Sequence, residues 1–121
     1  AMEAAQLAGI KRFILVSSAA SDDRSAWDQT GIKPYMIAKH YADQILTQSQ
    51  LDFTILRPGA LKNQPGTGHI SLVPEGQQNL GQLAIPRQDV AEVITTIIDM
   101  PSTYRQIYTL GSGSSAIATV F

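Results

Sequence analysis

The 121 residues contain no cysteine, which excludes a disulfide framework and a thiolate metal centre. Histidine is nearly as scarce: His40 and His69 stand far apart without ligand-like spacing, and no metal site is expected. Neither sign of charge is in excess. With a formal net charge of -1 there is no basic stripe for nucleic acid, no polybasic membrane patch and no acidic tail. Long apolar runs are missing too, and nothing reaches the length of a membrane span. The opening Ala1-Met2-Glu3-Ala4-Ala5 lacks the basic, apolar, small-residue order of a signal peptide, so a cytoplasmic location is expected. What remains is ordinary globular composition, 44% hydrophobic and 16% charged, enough for one modest core.

Against that background the chain alternates. Residues 2–9 are strong helix formers closed by Gly9, the tail of a helix. Residues 12–18, Arg-Phe-Ile-Leu-Val-Ser-Ser, carry the apolar run of a parallel strand covered on both faces. Pro34 then opens an amphipathic helix reaching about Ser49, and residues 52–57 form a second buried strand that stops at Pro58-Gly59. Between Lys62 and Pro86 lies a glycine- and proline-rich excursion in which Ile70-Ser71-Leu72-Val73 suggests a small hairpin. Asp89-Val90-Ala91-Glu92 has the spacing of a capping box, the following helix ends before Pro101, and residues 106–110 read as a last strand. This alternation is that of an α/β sheet, and the chain is read as one domain without repeats or linkers.

The chemistry-bearing residues fall at corresponding places. Tyr35 and Lys39, four apart on a helix, share a face one turn apart, where an ammonium lowers a phenol's pKa. Alone the pair is weak evidence, because such spacing arises by chance. Here it follows a strand ending in Ser17-Ser18 and precedes one ending in Pro58-Gly59, and ligands of parallel sheets bind at the carboxyl ends of strands. No strand followed by a glycine-rich phosphate loop precedes residue 13.

With these blocks in place, together with Asn63-Gln64-Pro65-Gly66-Thr67-Gly68-His69-Ile70 and Ile85-Pro86-Arg87-Gln88-Asp89-Val90-Ala91, the whole chain resembles the short-chain dehydrogenase/reductase superfamily. The likeness is to its atypical NAD(P)-binding branch of NmrA-like and sugar-epimerase-like proteins. The resemblance implies the carboxy-terminal part of a Rossmann-like doubly wound parallel sheet, lacking its first strands and glycine-rich loop. It implies NAD or NADP as cofactor of an intact parent and a small-molecule substrate. Ser18, with Ser17 beside it, would orient the substrate, and Tyr35 would be the general acid/base. Lys39 would hold the nicotinamide ribose, while Pro58, Gly59 and Ala60 would line the nicotinamide. Residues 19–33 and 62–86 would be the substrate-side loops.

Plainer readings stand beside these. Ser17 and Ser18 can satisfy backbone groups at a strand end, Arg57 reads as structural, Asp89 as a helix cap, and Trp27 and His69 as exposed loop residues. Gly111-x-Gly113-x-x-Ala116 formally matches a dinucleotide fingerprint but leaves too few residues for the helix that would hold a pyrophosphate. Two alternatives to an oxidoreductase or epimerase are a non-catalytic NAD(P)-binding sensor and an inactive truncation product. A chain lacking the flanking strands is expected to expose the edge of residues 12–18, and so to self-associate or to hold the missing half there.

Overall fold

The structure is a computed structural model, described over residue 4 and residues 7–17, 33–73 and 84–121, with residues 33–39 as backbone alone. Its elements run β1 (Arg12–Val16), α1 (Lys33–Thr47), β2 (Asp52–Pro58), β3 (Leu61–Lys62), β4 (His69–Leu72), β5 (Ile85–Pro86) and α2 (Arg87–Ile97). A 3-10 turn (Pro101–Thr103), β6 (Gln106–Ser112), β7 (Ser115–Ala116) and α3 (Ile117–Val120) complete the chain. Ahead of β1, Ala8 N–H donates to Ala4 C=O at 3.0 Å and Gly9 takes φ +76°, the left-handed stop expected at a helix tail.

The main sheet has the order β1-β2-β6-β4-β7. Its first three strands are parallel, Val16 level with Leu56 and Pro58 with Leu110. Alternation along these strands divides the core in two. Phe13, Leu15, Phe53 and Ile55 turn to one face with Leu46 of α1. Ile14, Val16, Leu56, Tyr108 and Leu110 turn to the other, against Val90, Val93 and Ile97 of α2. One helix therefore covers each face, as a doubly wound sheet requires. Among the described residues β1 is an edge strand and only half-buried, whereas β2 is buried along nearly its whole length.

Three expectations change. Residues 70–72 do not fold back as a hairpin within the excursion; they join the main sheet as β4, antiparallel to β6, with Ile70 opposite Ser112 and buried in the α2-side core. The sheet is consequently parallel with an antiparallel extension. β6 runs two residues further than expected because β4 supplies its partners at Gly111 and Ser112. Finally, α2 begins at Arg87 rather than at a capping Asp89, with Pro86 as its flanking residue. The glycines after β6 are used for packing: a Cβ on Gly113 would lie 2.6 Å from the Ile70 carbonyl, so only glycine lets the chain pass this close to β4. The short helix that follows, α3, covers the α2-side core with Ile117.

The amino ends of the strands are tied by two arginines. Arg12 donates to the carbonyls of Ile98 and Ile97 at the end of α2 (2.8 and 2.9 Å), to Asp52 C=O, and to the hydroxyls of Thr54 and Thr103. It also lies over the Tyr104 ring at 4.5 Å. Burial draws its guanidinium below the ordinary arginine value, opposed by the charges of Tyr104, Asp52 and Asp99. Arg105 does the same for α1, donating to the carbonyls of Thr47, Ser49 and Leu51 while covering the Phe53 ring. Its φ of +61° is unfavourable for a residue with a Cβ. Cations at helix carboxyl termini satisfy carbonyls that have no partner within the helix, and α1 and α2 each receive one from elsewhere in the chain.

Candidate functional site

β1 and β2 are parallel, so the chain returns between them through α1, which starts at the carboxyl end of the sheet and finishes at its amino end. The strand end, the first turn of α1 and the end of β2 are thereby collected at one place. Ser17 follows β1 there, buried, with its N–H on Leu56 C=O at 2.7 Å. Ser18 lies outside the described residues, as does Trp27. Tyr35 and Lys39 are on α1, in its first and second turns, and their side chains are outside what is described. At the end of β2, Pro58 is buried, Gly59 half-buried and Ala60 exposed. Gly59 N–H is spent on Leu110 C=O at 3.3 Å, and Ala60 C=O accepts from Ile85 N–H at 2.9 Å. Proline without an N–H and glycine without a Cβ leave a bare backbone turn that a flat ligand can approach closely.

A buried ion pair fixes α1 against β2. Arg57, expected to be structural, directs Nε and one terminal nitrogen to the same Asp43 oxygen, both at 3.0 Å, with both side chains nearly inaccessible. Alternation along β2 puts Arg57 on the α1 face, level with Ser17, so the pair sets the height of α1 relative to the strand ends. His40 borders the same shallow cleft with Gln44 and Thr47.

The first turn of α2 holds the loop that leads into β4. Arg87 Nε donates to Asn63 Oδ1 at 3.0 Å, Gln88 Oε1 accepts from Gly66 N–H at 2.9 Å, and the Asp89 carboxylate accepts from the N–H groups of Thr67 and Gly68. Asp89 is therefore no cap of its own helix. Its fully buried carboxylate immobilises the loop leading into β4, and Gly66 has to be glycine because a Cβ would stand 2.8 Å from Asp89 Oδ1. Sequence reasoning missed Arg12, Arg105, Gln88 and Thr67, whose partners are distant carbonyls and loop amides that leave no local pattern. A cleft of about 420 Å³ between Gly9, Ile10, Lys11, Gln50 and Leu51 is at the amino end of the sheet, away from these groups. Among the described residues no cluster of three or more histidine, aspartate or glutamate side chains could hold a metal, and no helix is long and apolar enough to cross a membrane.

Known proteins share this architecture, and one of them has been solved with NADP bound. The chain is 43% identical over 118 residues to the uncharacterized sugar epimerase YhfK of Bacillus subtilis, matching 98% of this chain and 53% of the relative. A Bacillus halodurans structure provisionally assigned as an NAD-dependent epimerase/dehydratase superposes with a TM-score of 0.89 at 37% identity, covering 98% of this chain and 54% of that one. A short-chain dehydrogenase/reductase from Veillonella parvula, solved in complex with NADP, superposes with a TM-score of 0.74 at 27% identity over 98% of this chain and 59% of its own. The chain thus spans about half the length of the relatives it matches. Its mostly parallel sheet is Rossmann-like, and residues 1–101 match the NAD(P)H-binding family, to which the chain belongs.

Proposed function

We propose that this chain is the carboxy-terminal half of an NAD(P)-dependent oxidoreductase or epimerase of the short-chain dehydrogenase/reductase type. Tyr35 is its general acid/base and Ser18 and Lys39 are the partners of Tyr35. The observation that carries the reading is the β1–α1–β2 unit: its register brings Ser17, the start of α1 and Pro58-Gly59 to the same end of the sheet. When bound, the nicotinamide supplies hydride exchange at a carbon bearing oxygen. The chain's own part is to hold and move the proton. Tyr35 exchanges it with the substrate oxygen, the Ser18 hydroxyl orients that oxygen, and the Lys39 ammonium favours the phenolate, since a phenol's ordinary pKa of about 10 is too high for a base at neutral pH. Pro58, Gly59 and Ala60 offer the ring a backbone floor, and Ser17 closes the strand end beneath it.

The test is made on the full-length protein. NADH and NADPH are titrated calorimetrically, and carbonyl-dependent oxidation of each is followed in wild type and Tyr35→Phe. Cofactor binding with loss of turnover in the variant supports the reading. Equal turnover overturns the role of Tyr35, and cofactor binding without turnover in wild type favours a sensor. The half-buried edge of β1, with Leu7 and Ile10 exposed beside it, is proposed to receive the remainder of the longer chain or a second copy. Sedimentation of the segment alone, with calorimetric titration of NADH and NADPH, tests this: a stable, monodisperse monomer that binds either cofactor at micromolar concentration would overturn it.

A further inference from the structure

Two residues at the carboxyl end of the sheet, Asp89 and His69, are linked by a peptide group. Gly68 N–H donates to Asp89 Oδ1 at 2.9 Å, and the carbonyl of that same peptide, Thr67 C=O, lies 2.8 Å from His69 Nδ1. A carbonyl can only accept, so Nδ1 carries the proton, and in the neutral ring Nε2 is left with its lone pair. The carboxylate is fully buried and receives two further bonds from Thr67, through N–H at 3.0 Å and Oγ1 at 3.2 Å. Its charge polarises the peptide and strengthens the bond to the imidazole, as happens along any chain of hydrogen bonds in a low-dielectric interior. The result is a carboxylate that orients a histidine through one amide.

The sheet fixes where that histidine stands. Ile70 is in the α2-side core, so alternation turns its neighbour His69 to the face covered by α1. Ile70 pairs with Ser112, two residues beyond Leu110, which is level with Pro58, so His69 is at the carboxyl end of the sheet. It is exposed. Three strand spacings, roughly 14 Å, separate β4 from β1, too far for contact with the reacting carbon and suited to the distal part of a substrate.

Resting on the active site proposed above, we infer that His69 is a specificity-determining residue whose Nε2 accepts a hydrogen bond from a substrate hydroxyl remote from the reacting carbon, and that Asp89 is its positioning residue. The substrate class is a carbonyl compound that carries a hydroxyl away from the reacting carbon, because an acceptor at this point complements a hydrogen-bond donor and offers nothing to a ketone or an ether.

Two measurements on the full-length protein test this. In long-range 1H–15N spectra of the histidine rings, His69 should show the Nδ1-protonated tautomer. Its Nε2 resonance should move on addition of the ketodisaccharide maltulose, and Asp89→Asn should mix the tautomers, because an amide nitrogen would then face the loop N–H groups. In NADPH-dependent turnover, maltulose is compared with 9,10-phenanthrenequinone, a carbonyl probe with no hydroxyl. His69→Ala should lower kcat/KM for maltulose relative to the quinone about tenfold, through KM, as expected for loss of one hydrogen bond, and Asp89→Asn should follow it. An Nε2-protonated ring, an Nε2 resonance indifferent to maltulose, or equal losses on both probes would overturn the inference. If wild type reduces neither probe, the acid/base reading is what fails, and the spectra still decide the role of His69.

Discussion

The two ends of the sheet are held together in different ways. At the amino end, Arg12 and Arg105 reach across to carbonyls that end α2 and α1, and the polar groups meet one another: Thr54 Oγ1 accepts from Arg12 and donates to Thr103 C=O at 2.7 Å. At the carboxyl end, polar side chains hold loops and backbone turns in place: Asp89 the Thr67-Gly68 amides, Gln88 the Gly66 amide, Arg87 the Asn63 side chain. One end closes helices; the other shapes a surface. Side-chain removal at the amino end should therefore cost stability with little selectivity, and the same operation at the carboxyl end should alter ligand handling more than folding.

The sharpest test is Tyr35→Phe in the full-length protein. If the carboxyl end is built for chemistry, turnover falls on the order of 10² to 10⁴-fold, the range for a positioned general acid, while the melting temperature and cofactor affinity hold. A drop in melting temperature comparable to that of a core substitution would erase the contrast between the ends.

Asp43→Ala probes the element joining the two ends. It removes the carboxylate oxygen that receives two Arg57 nitrogens, in a site where both side chains are almost inaccessible, and breaking such a pair costs about 3–5 kcal/mol. Denaturant titration measures it. Since α1 also carries Tyr35 and Lys39, turnover should fall even under conditions where the variant remains folded. Arg12→Ala should cost about 2–4 kcal/mol, because two helix carbonyls and two threonine hydroxyls lose one shared donor. Cofactor affinity should stay as in wild type. Weakened binding in this variant would mean that the amino end is not merely structural.

How much of this was legible in the sequence follows from how far each signal had to travel. The β1–α1–β2 unit could be read because each element carries its own pattern: an apolar run, an amphipathic stripe, a proline-glycine stop. Asp89 was misread because its acidic spacing to Glu92 imitates a local cap, whereas its partners Thr67 and Gly68 lie more than twenty residues upstream. The segment that became β4 was apolar enough to be a strand, yet its partners, residues 110–112, could not be inferred from its own composition. Arg12 and Arg105 carry no spacing signature at all, since a guanidinium finds carbonyls, and carbonyls are on every residue. Of the acid/base residues, sequence placed Tyr35 and Lys39 on one helix face, and their helix is found where expected.

The smallest effect gives the finest comparison, because the same torsion occurs at both ends. Gly9 has φ +76° and Gly68 has φ +74°, and at neither would an added Cβ meet any atom within 4 Å. Alanine at either position therefore meets the same intrinsic penalty for left-handed backbone, roughly 1–2 kcal/mol, with no steric addition. What differs is the freedom to escape. Gly9 ends a helical turn beside exposed Leu7 and Ile10, and a segment with so little buried apolar surface can open locally at little cost. Gly68 is gripped on both sides, its N–H by Asp89 and its C=O by Ile117 N–H at 3.1 Å, so relaxing its torsion breaks one bond or the other. Gly68→Ala should show the full penalty and faster hydrogen exchange at Thr67 and Gly68, and Gly9→Ala less than half of that penalty with exchange at the loop unaltered. Equal costs would mean that the carboxyl-end loop is no more firmly held than a helix tail, and that the Asp89 clamp contributes little to its order.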